Sequence, residues 1–452
     1  MKQSILALVL LLAVGCNPRL ISPTVDIPPR FAYQSGESVP LADSAYQATE
    51  WWRVFGDTTL NRLITTTLAQ NNDLLVAASK ITQAQQSLRQ LRSQYLPSFS
   101  LGREVGISGQ PTTQHYAIEP AASWEIPLFG SLRAATTQAS AEVEYAQWQY
   151  RGVRLSLAAQ VATTYYTLLK YQRDLIIAIE SSRLRAQTAR LTDSLFVRGL
   201  ATGLHREQAL SLLYTAQADI PLYEQQVRQT MVTLTALTGS SVQDTTIYKQ
   251  LEITRLTDSP SIDIPVGLPS DLLYRRADVA SAYATLVASA AKAKQARIAR
   301  LPTLMLTAEG GVVSDDISRL FKGDSWVWST LLSFAQPIYR FGALKSQERA
   351  AVELYNQALY AYRQSFITAL SEVESALVEI ATTRRESERY RALIASNDRI
   401  STLTRALYGN GLASYLDVID AERTLYNTQM EYSNIIAQQY LAYIKLYLSL
   451  GS

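Results

Sequence analysis

Few side chains in this 452-residue sequence could carry out chemistry, and those few are dispersed. The two histidines, His115 and His205, lie far apart in sequence with no cysteine near either, so they do not start a metal-ligand set. The single cysteine, Cys16, excludes an intrachain disulfide and a cysteine-based metal centre. No glycine-rich phosphate loop is present. What remains is a pair of carboxylates, Asp417 and Asp420, three residues apart and so on one face if the segment is helical. Carboxylates gathered around an opening attract cations. No catalytic residue, resident metal or cofactor is expected, and the chain reads as a non-enzyme.

The net charge of +3 offers no footprint for nucleic acid. Hydrophobic residues make up 47% of the chain, yet no run approaches the roughly 20 apolar residues of a membrane-spanning helix. A crossing of the membrane would therefore need a β-barrel. Lys2, the apolar run from Ile5 to Val14 and then Gly15-Cys16 read as a secretory signal over residues 1–15. Leu12-Ala13-Val14-Gly15-Cys16 resembles a bacterial lipobox with its leucine one place early, which makes Cys16 the expected site of a covalent lipid. Residues 16–56, with Pro18, Pro23, Pro28 and Pro29, predict a lipid-anchored, extended segment.

The rest of the chain is duplicated. Phe196-Val197-Arg198-Gly199-Leu200-Ala201-Thr202 matches Tyr408-Gly409-Asn410-Gly411-Leu412-Ala413-Ser414 at an offset of 212 residues, which holds from Leu132/Leu344 to Gly239/Gly451. Earlier in each half the offset is 205, pairing Leu96-Pro97-Ser98 with Leu301-Pro302-Thr303. The change predicts loops of unequal length at Gly109–His115 and Ser314–Ser325. Repeats at a fixed offset imply the same element order in each half. Repeat 1 is assigned to residues 57–240 and repeat 2 to 267–452, joined by a linker over 241–266, with each half expected to be one structural unit.

Each repeat opens with helical periodicity, as in Asp57–Leu96, where Leu60, Leu63, Ile64, Leu68, Leu74 and Ala78 recur at helical spacing. Alternation of period two follows, predicting β-hairpins at 97–128 and 302–338 with one apolar and one polar face. Phe99, Leu101, Val105 and Ile107 share the first apolar face, interrupted by Arg103. Each strand has about the 9–11 residues that a tilted crossing requires. Four strands cannot close a transmembrane barrel, which needs about eight or more. Several copies must then combine, and three would supply twelve strands. Two long helices free of proline follow, Leu132–Arg198 and Ala343–Tyr408. At about 1.5 Å per residue, each would reach on the order of 100 Å. The chain turns at tips 197–202 and 409–414 and returns as helices over 204–238, where Pro221 should kink or shift the path, and 415–450. Matched apolar seams make these coiled-coil hairpins.

Several segments together resemble the outer-membrane factor family, the TolC-like efflux ducts, and within it the lipoprotein branch. They are Trp51-Trp52-Arg53-Val54-Phe55-Gly56-Asp57, Asn71-Asn72-Asp73-Leu74, Leu268-Pro269-Ser270-Asp271-Leu272-Leu273-Tyr274-Arg275-Arg276-Ala277-Asp278-Val279 and Gln336-Pro337-Ile338-Tyr339 with Phe341-Gly342. Ala277 stands where the family usually has proline. The resemblance implies an α+β membrane protein and a homotrimer. Its twelve-stranded outer-membrane β-barrel, four strands per chain, would continue into a twelve-helix α-barrel in the periplasm. Residues 240–266 and the chain ends would form a belt around that tunnel.

The same resemblance implies the exit channel of a tripartite efflux system in the outer membrane of a Gram-negative bacterium. Its partners would be outer-membrane lipids, a periplasmic adaptor (membrane fusion) protein and an inner-membrane pump of the resistance-nodulation-division type. The tip residues Gly199, Leu200, Ala201, Gly411, Leu412 and Ala413 make the turns and, by resemblance, contact the adaptor. Asp417 and Asp420 replace His205 and Gln208 of the first repeat. In a trimer they would set six carboxylates around a periplasmic gate. A protein-secretion duct or a structural coiled-coil surface protein are the alternatives. The scarcity of Met and His argues weakly against a copper- or silver-handling surface.

Overall fold

The computed structural model describes residues 31, 33, 50–108, 113–239, 256–257 and 270–451. The signal at 1–15, Cys16, most of the segment 16–56 and nearly all of the linker 241–266 lie outside the described residues. Among the described residues no helix is long and apolar enough to cross a membrane. The elements run α1 (Thr58–Gln70), α2 (Asn72–Ser93), β1 (Ser98–Ser108), β2 (Thr113–Ile126), α3 (Ser131–Val197) and α4 (Gly203–Leu237). The second half continues with α5 (Ala277–Ile298), β3 (Thr303–Ser314), β4 (Trp326–Ala335), α6 (Ala343–Gly409) and α7 (Tyr415–Leu450).

Spatially the chain divides into two compact units that are not the two repeats. One unit takes Ala77–Tyr150 and Ala277–Phe366, and the other takes Ile27–Val76, Arg151–Arg276 and Ile367–Ser452. The repeats keep the same order of elements, while their packing crosses from one half to the other. The cause is strand pairing, because β2 of the first half pairs with β3 of the second and merges both hairpins into one sheet.

In the first unit, the sheet order is β1-β2-β3-β4, antiparallel throughout. β2 begins at Thr113, so Gln114 and His115, expected in a loop, belong to the strand. β2 is an inner strand yet contains Pro120, which has no N–H to donate. The β2–β3 ladder accordingly pairs Ile118 with Val312 and Ala121 with Glu309, with no pairing between them. Opposite the gap, β3 carries Gly310 and Gly311. A Cβ on Gly311 would overlap the Ile118 carbonyl oxygen and crowd Glu119 Cα, so the backbones approach there as only glycine permits. Below the sheet, buried Ala293 and Ala296 of α5 meet Ala351 of α6, small side chains that let the helices close together. Gln295 Nε2 donates to Gln138 Oε1 at 2.8 Å, and Arg300 pairs with Glu348 at 2.7 Å.

In the second unit, the segment expected as one helix is broken at Asn71, whose backbone is extended at ψ 128°. The Asn71 side chain accepts from Asp73 N at 2.8 Å and donates to Leu237 O, near the end of α4, at 3.0 Å. Arg276, 205 positions later, does the equivalent, donating to Ser449 O near the end of α7 at 2.6 Å and to Glu372 Oε2 at 2.6 Å. Gly239 and Gly451 follow those carbonyls with φ of 72° and 75°, the left-handed cap that ends a helix. Trp51 and Trp52 are buried in the adjoining core, Trp51 stacked on Tyr447 at 5.7 Å. Asp57 caps α1 through Thr59 N and Leu60 N and accepts from the Tyr165 hydroxyl at 2.6 Å. Thus the motifs that carried the resemblance are largely helix-end clamps. α4 runs unbroken through Pro221.

Polar side chains also join α3 and α4 to α6 and α7. Glu422, 6% exposed, accepts from Thr188 Oγ1 at 2.6 Å and lies 3.4 Å from Arg405 Nε. Arg185, 4% exposed, donates to Leu212 O at 3.2 Å and lies over the Tyr426 ring at 5.1 Å. Its burial lowers its pKa, while the Glu422 charge opposes that shift. Tyr426 donates to Asp219 Oδ2 at 2.8 Å.

Two outcomes follow for stability. Gly311→Ala should sharply reduce assembled protein after outer-membrane expression, whereas Gly310→Ala, whose Cβ meets only ordinary contacts near 3.7 Å, should assemble normally; equal yields on native gels would contradict the close approach. Glu422→Ala, by leaving Arg405 without its carboxylate and Thr188 without its acceptor, should cost on the order of 3 kcal/mol, read as a lowered thermal midpoint, with Glu422→Gln losing less. An unchanged midpoint for the alanine variant would show that the pair contributes nothing.

Candidate functional site

Two surfaces can do work, the sheet in one unit and the helical tips in the other. The pairing register sorts the sheet cleanly. Phe99 lies opposite Ala122, Ala122 opposite Ala308 and Ala308 opposite Thr330, and every second residue from these shares their face. That face collects Leu101, Ile118, Leu306, Val312, Trp328 and Phe334 among others, and its members on β1 and β4 are broadly exposed. Arg103 lies on it too, opposite Ile118. The other face presents Glu104, Glu119, Glu125 and Glu309 among serines, alanines and glycines. A continuous exposed apolar face of this size marks a contact surface, and a lipid-facing strand wall is one form of it.

At the tips, both turns use the same geometry. Gly199 and Gly411 take φ of 74° and 73°, and Leu200 N and Leu412 N reach back to Leu195 O and Leu407 O at 2.8 and 2.9 Å. These are left-handed helix ends with the carbonyl bond of a Schellman turn. Nothing lies within 4 Å of a Cβ built at either glycine, so backbone conformation alone calls for glycine there. Leu200 and Leu412 are 73% and 75% exposed, an apolar side chain set outward at each turn. The two tips pack together through Ala189, Ala209, Tyr408, Tyr415 and Val418. Ala201 and Ala413 are both half-buried.

The tips differ just beyond the turn. Thr202 caps α4 by accepting from His205 N at 3.3 Å. At the second tip, Ser414 accepts from Asp417 N at 3.2 Å, and Asp417 Oδ2 accepts in return from Ser414 N at 2.9 Å and Ser414 Oγ at 2.7 Å, a full capping box. Asp417 therefore also holds a helix end, a role for which the spacing Ser414-Tyr415-Leu416-Asp417 is the sequence signal. Hydrogen bonds from the Ser414 side chain and backbone lower its pKa. Asp420, one turn on, is exposed and pairs with Arg423 at 2.9 Å. Both aspartates line one open groove of about 490 Å³, with Asn397, Thr404 and Ala421 also on its wall. The Glu422 cluster next to them was not legible in the sequence, since Thr188 and Glu422 meet across 234 positions. Among the described residues no group of His, Cys, Asp and Glu could hold a metal ion.

Known proteins share this fold. The family model described as outer membrane efflux protein matches residues 63–240 and 268–452. The pyoverdine export outer membrane protein OpmQ of Pseudomonas putida is 29% identical, covering 95% of this chain and 93% of its own. The cation efflux system protein CusC of Escherichia coli is 28% identical over 98% of this chain and 97% of its own. A solved CusC structure, 25% identical, superposes with a TM-score of 0.84 over 97% of this chain and 98% of its own. The outer-membrane channel OprN, 23% identical, shares the fold at a TM-score of 0.88 over 97% and 98% of the two chains. With both repeats matched and the hairpins and tips in place, the chain belongs to the outer membrane efflux protein family.

Proposed function

We propose that this outer membrane efflux protein is the passive exit duct of a tripartite pump. Three chains close a twelve-stranded barrel in the outer membrane of a Gram-negative bacterium and continue as a tunnel of twelve helices. The observation that carries this is the sheet's two-faced register, apolar on one side and carboxylate-bearing on the other, with four strands among the described residues, too few to close alone. The family is one of channel components and not of enzymes, so the driving energy belongs to an inner-membrane pump, here assigned to the resistance-nodulation-division type. The exposed Leu200 and Leu412 at matched turns suit docking of a periplasmic adaptor, and Cys16 is the site assigned to the lipid anchor. Relatives are named for pyoverdine, toluene and cations, so membership of the family names no one cargo.

Asp417 and Asp420 form the periplasmic gate in this reading. Six carboxylates in a trimer would favour cations at the tunnel mouth. Because Asp417 also caps α7, substitution by alanine would mix charge loss with helix fraying, and asparagine separates the two by keeping an acceptor. In planar bilayers, Asp417→Asn/Asp420→Asn should lower the cation-to-anion permeability ratio several-fold while the thermal midpoint holds. An unchanged ratio would remove these residues from the gate. The pH dependence has a defined sign. A lowered carboxylate pKa keeps the charge and the cap intact above the ordinary range near roughly 3.9, and both are lost only as pH falls through the lower folded value. The Asp417 contribution to selectivity should therefore be the same at neutral pH and at mildly acidic pH; loss of it on mild acidification would contradict the assignment.

A further inference from the structure

The apolar face of the sheet is not uniform. Where Pro120 lies opposite Gly310, the side chains fall away, and Ala122 and Ala308 continue the low ground. Tall side chains flank it, Phe99 and Leu101 on β1 and Trp326 and Trp328 on β4. The result is an open trough of about 770 Å³, lined almost wholly by carbon. Its walls are strongly exposed, Leu101 by 73% and Trp328 by 84%. One row away along β1, roughly 7 Å, stands Arg103. The register places Arg103, Ile118, Val312 and Trp326 in a single row across the sheet. Among the described residues no carboxylate forms an ion pair with Arg103. A guanidinium on a lipid-facing wall is costly at the bilayer centre and falls in cost towards head-group level; Arg103 is the sixth of the eleven β1 residues, so its stem must run along the wall towards one rim. Arginine's planar fork of donors matches a phosphate, and its stem can lie along the apolar wall to reach one.

We propose that the trough is a specific site for a phosphate-bearing membrane lipid, with one acyl chain lying over Gly310 and the phosphate paired with Arg103. The proposal rests on the reading of this sheet as a membrane wall. Charge complementarity selects the occupant: an apolar channel beside an otherwise unpaired guanidinium fits an anionic lipid better than a protein segment or a neutral lipid. It gives the chain's exterior a second role, as a place where membrane composition bears on assembly or stability.

Native mass spectrometry of the full-chain assembly, released from a neutral detergent, tests this with three probes: phosphatidylglycerol, phosphatidylcholine with the same chains, and inorganic phosphate. The unaltered protein should retain phosphatidylglycerol at least tenfold more than phosphatidylcholine and should not retain phosphate alone. Arg103→Gln should abolish that preference, and Arg103→Lys should restore it in part. Gly310→Leu should reduce retention of both lipids, since its Cβ meets only ordinary contacts and the added side chain fills the trough. Equal retention of the two lipids by the unaltered protein, a preference that survives Arg103→Gln, equal binding of phosphate alone, or retention indifferent to Gly310→Leu would each overturn the proposal. Bilayer insertion and conductance of the same preparation keep the two readings apart. A conducting channel without lipid preference defeats only the lipid site, whereas a protein that never inserts defeats the membrane wall beneath it.

Discussion

Unpaired backbone at the two sheet edges is the constraint on which the rest depends. β2 and β3 each have two neighbours, but β1 and β4 have one, so each leaves a row of N–H and C=O groups without a strand partner among the described residues. In water such an edge is a liability, and in hydrocarbon each unsatisfied group costs several kcal/mol. The outward face of the same sheet is apolar and exposed, so water is a poor surrounding for it as well. Only pairing β1 and β4 with the edges of other copies satisfies both demands. The single chain is in this sense an incomplete object, and its symmetry follows from its strand count.

Duplication explains how one gene supplies the parts. The clamp that seats Asn71 on Leu237 O recurs as Arg276 on Ser449 O, with Gly239 and Gly451 at the same places. Where the repeats agree, the residues hold helix ends and turns. At some divergent positions the second half carries added charge: Arg276 also reaches Glu372, Glu422 replaces Leu210, and Asp417 and Asp420 replace His205 and Gln208. Structural duties are thus shared by both halves, and the candidate gate belongs to the second half alone.

Much of this was legible in the residues. Period-two alternation around Phe99 and Leu306 and uninterrupted helix formers after Leu132 and Ala343 placed the strands and long helices within a few residues. Gly199 and Gly411 announced the turns, because a helix end in the left-handed region favours glycine. The break at Asn71 was missed because periodicity continues through it and only a distant carbonyl, Leu237 O, draws the side chain away. Pro120 argued against an inner strand, and its tolerance depends on Gly310 and Gly311, which lie opposite it only once the hairpins of both halves have paired. The buried Glu422 cluster was beyond reach for the same reason, since Thr188 and Glu422 meet across 234 positions of sequence.

The central claim is that the chain closes its barrel only as three copies. Counting chains per particle, by native mass spectrometry of the protein extracted from membranes, addresses this most directly. Three chains per particle is the predicted result; a stable monomer or dimer as the conducting species would contradict the account.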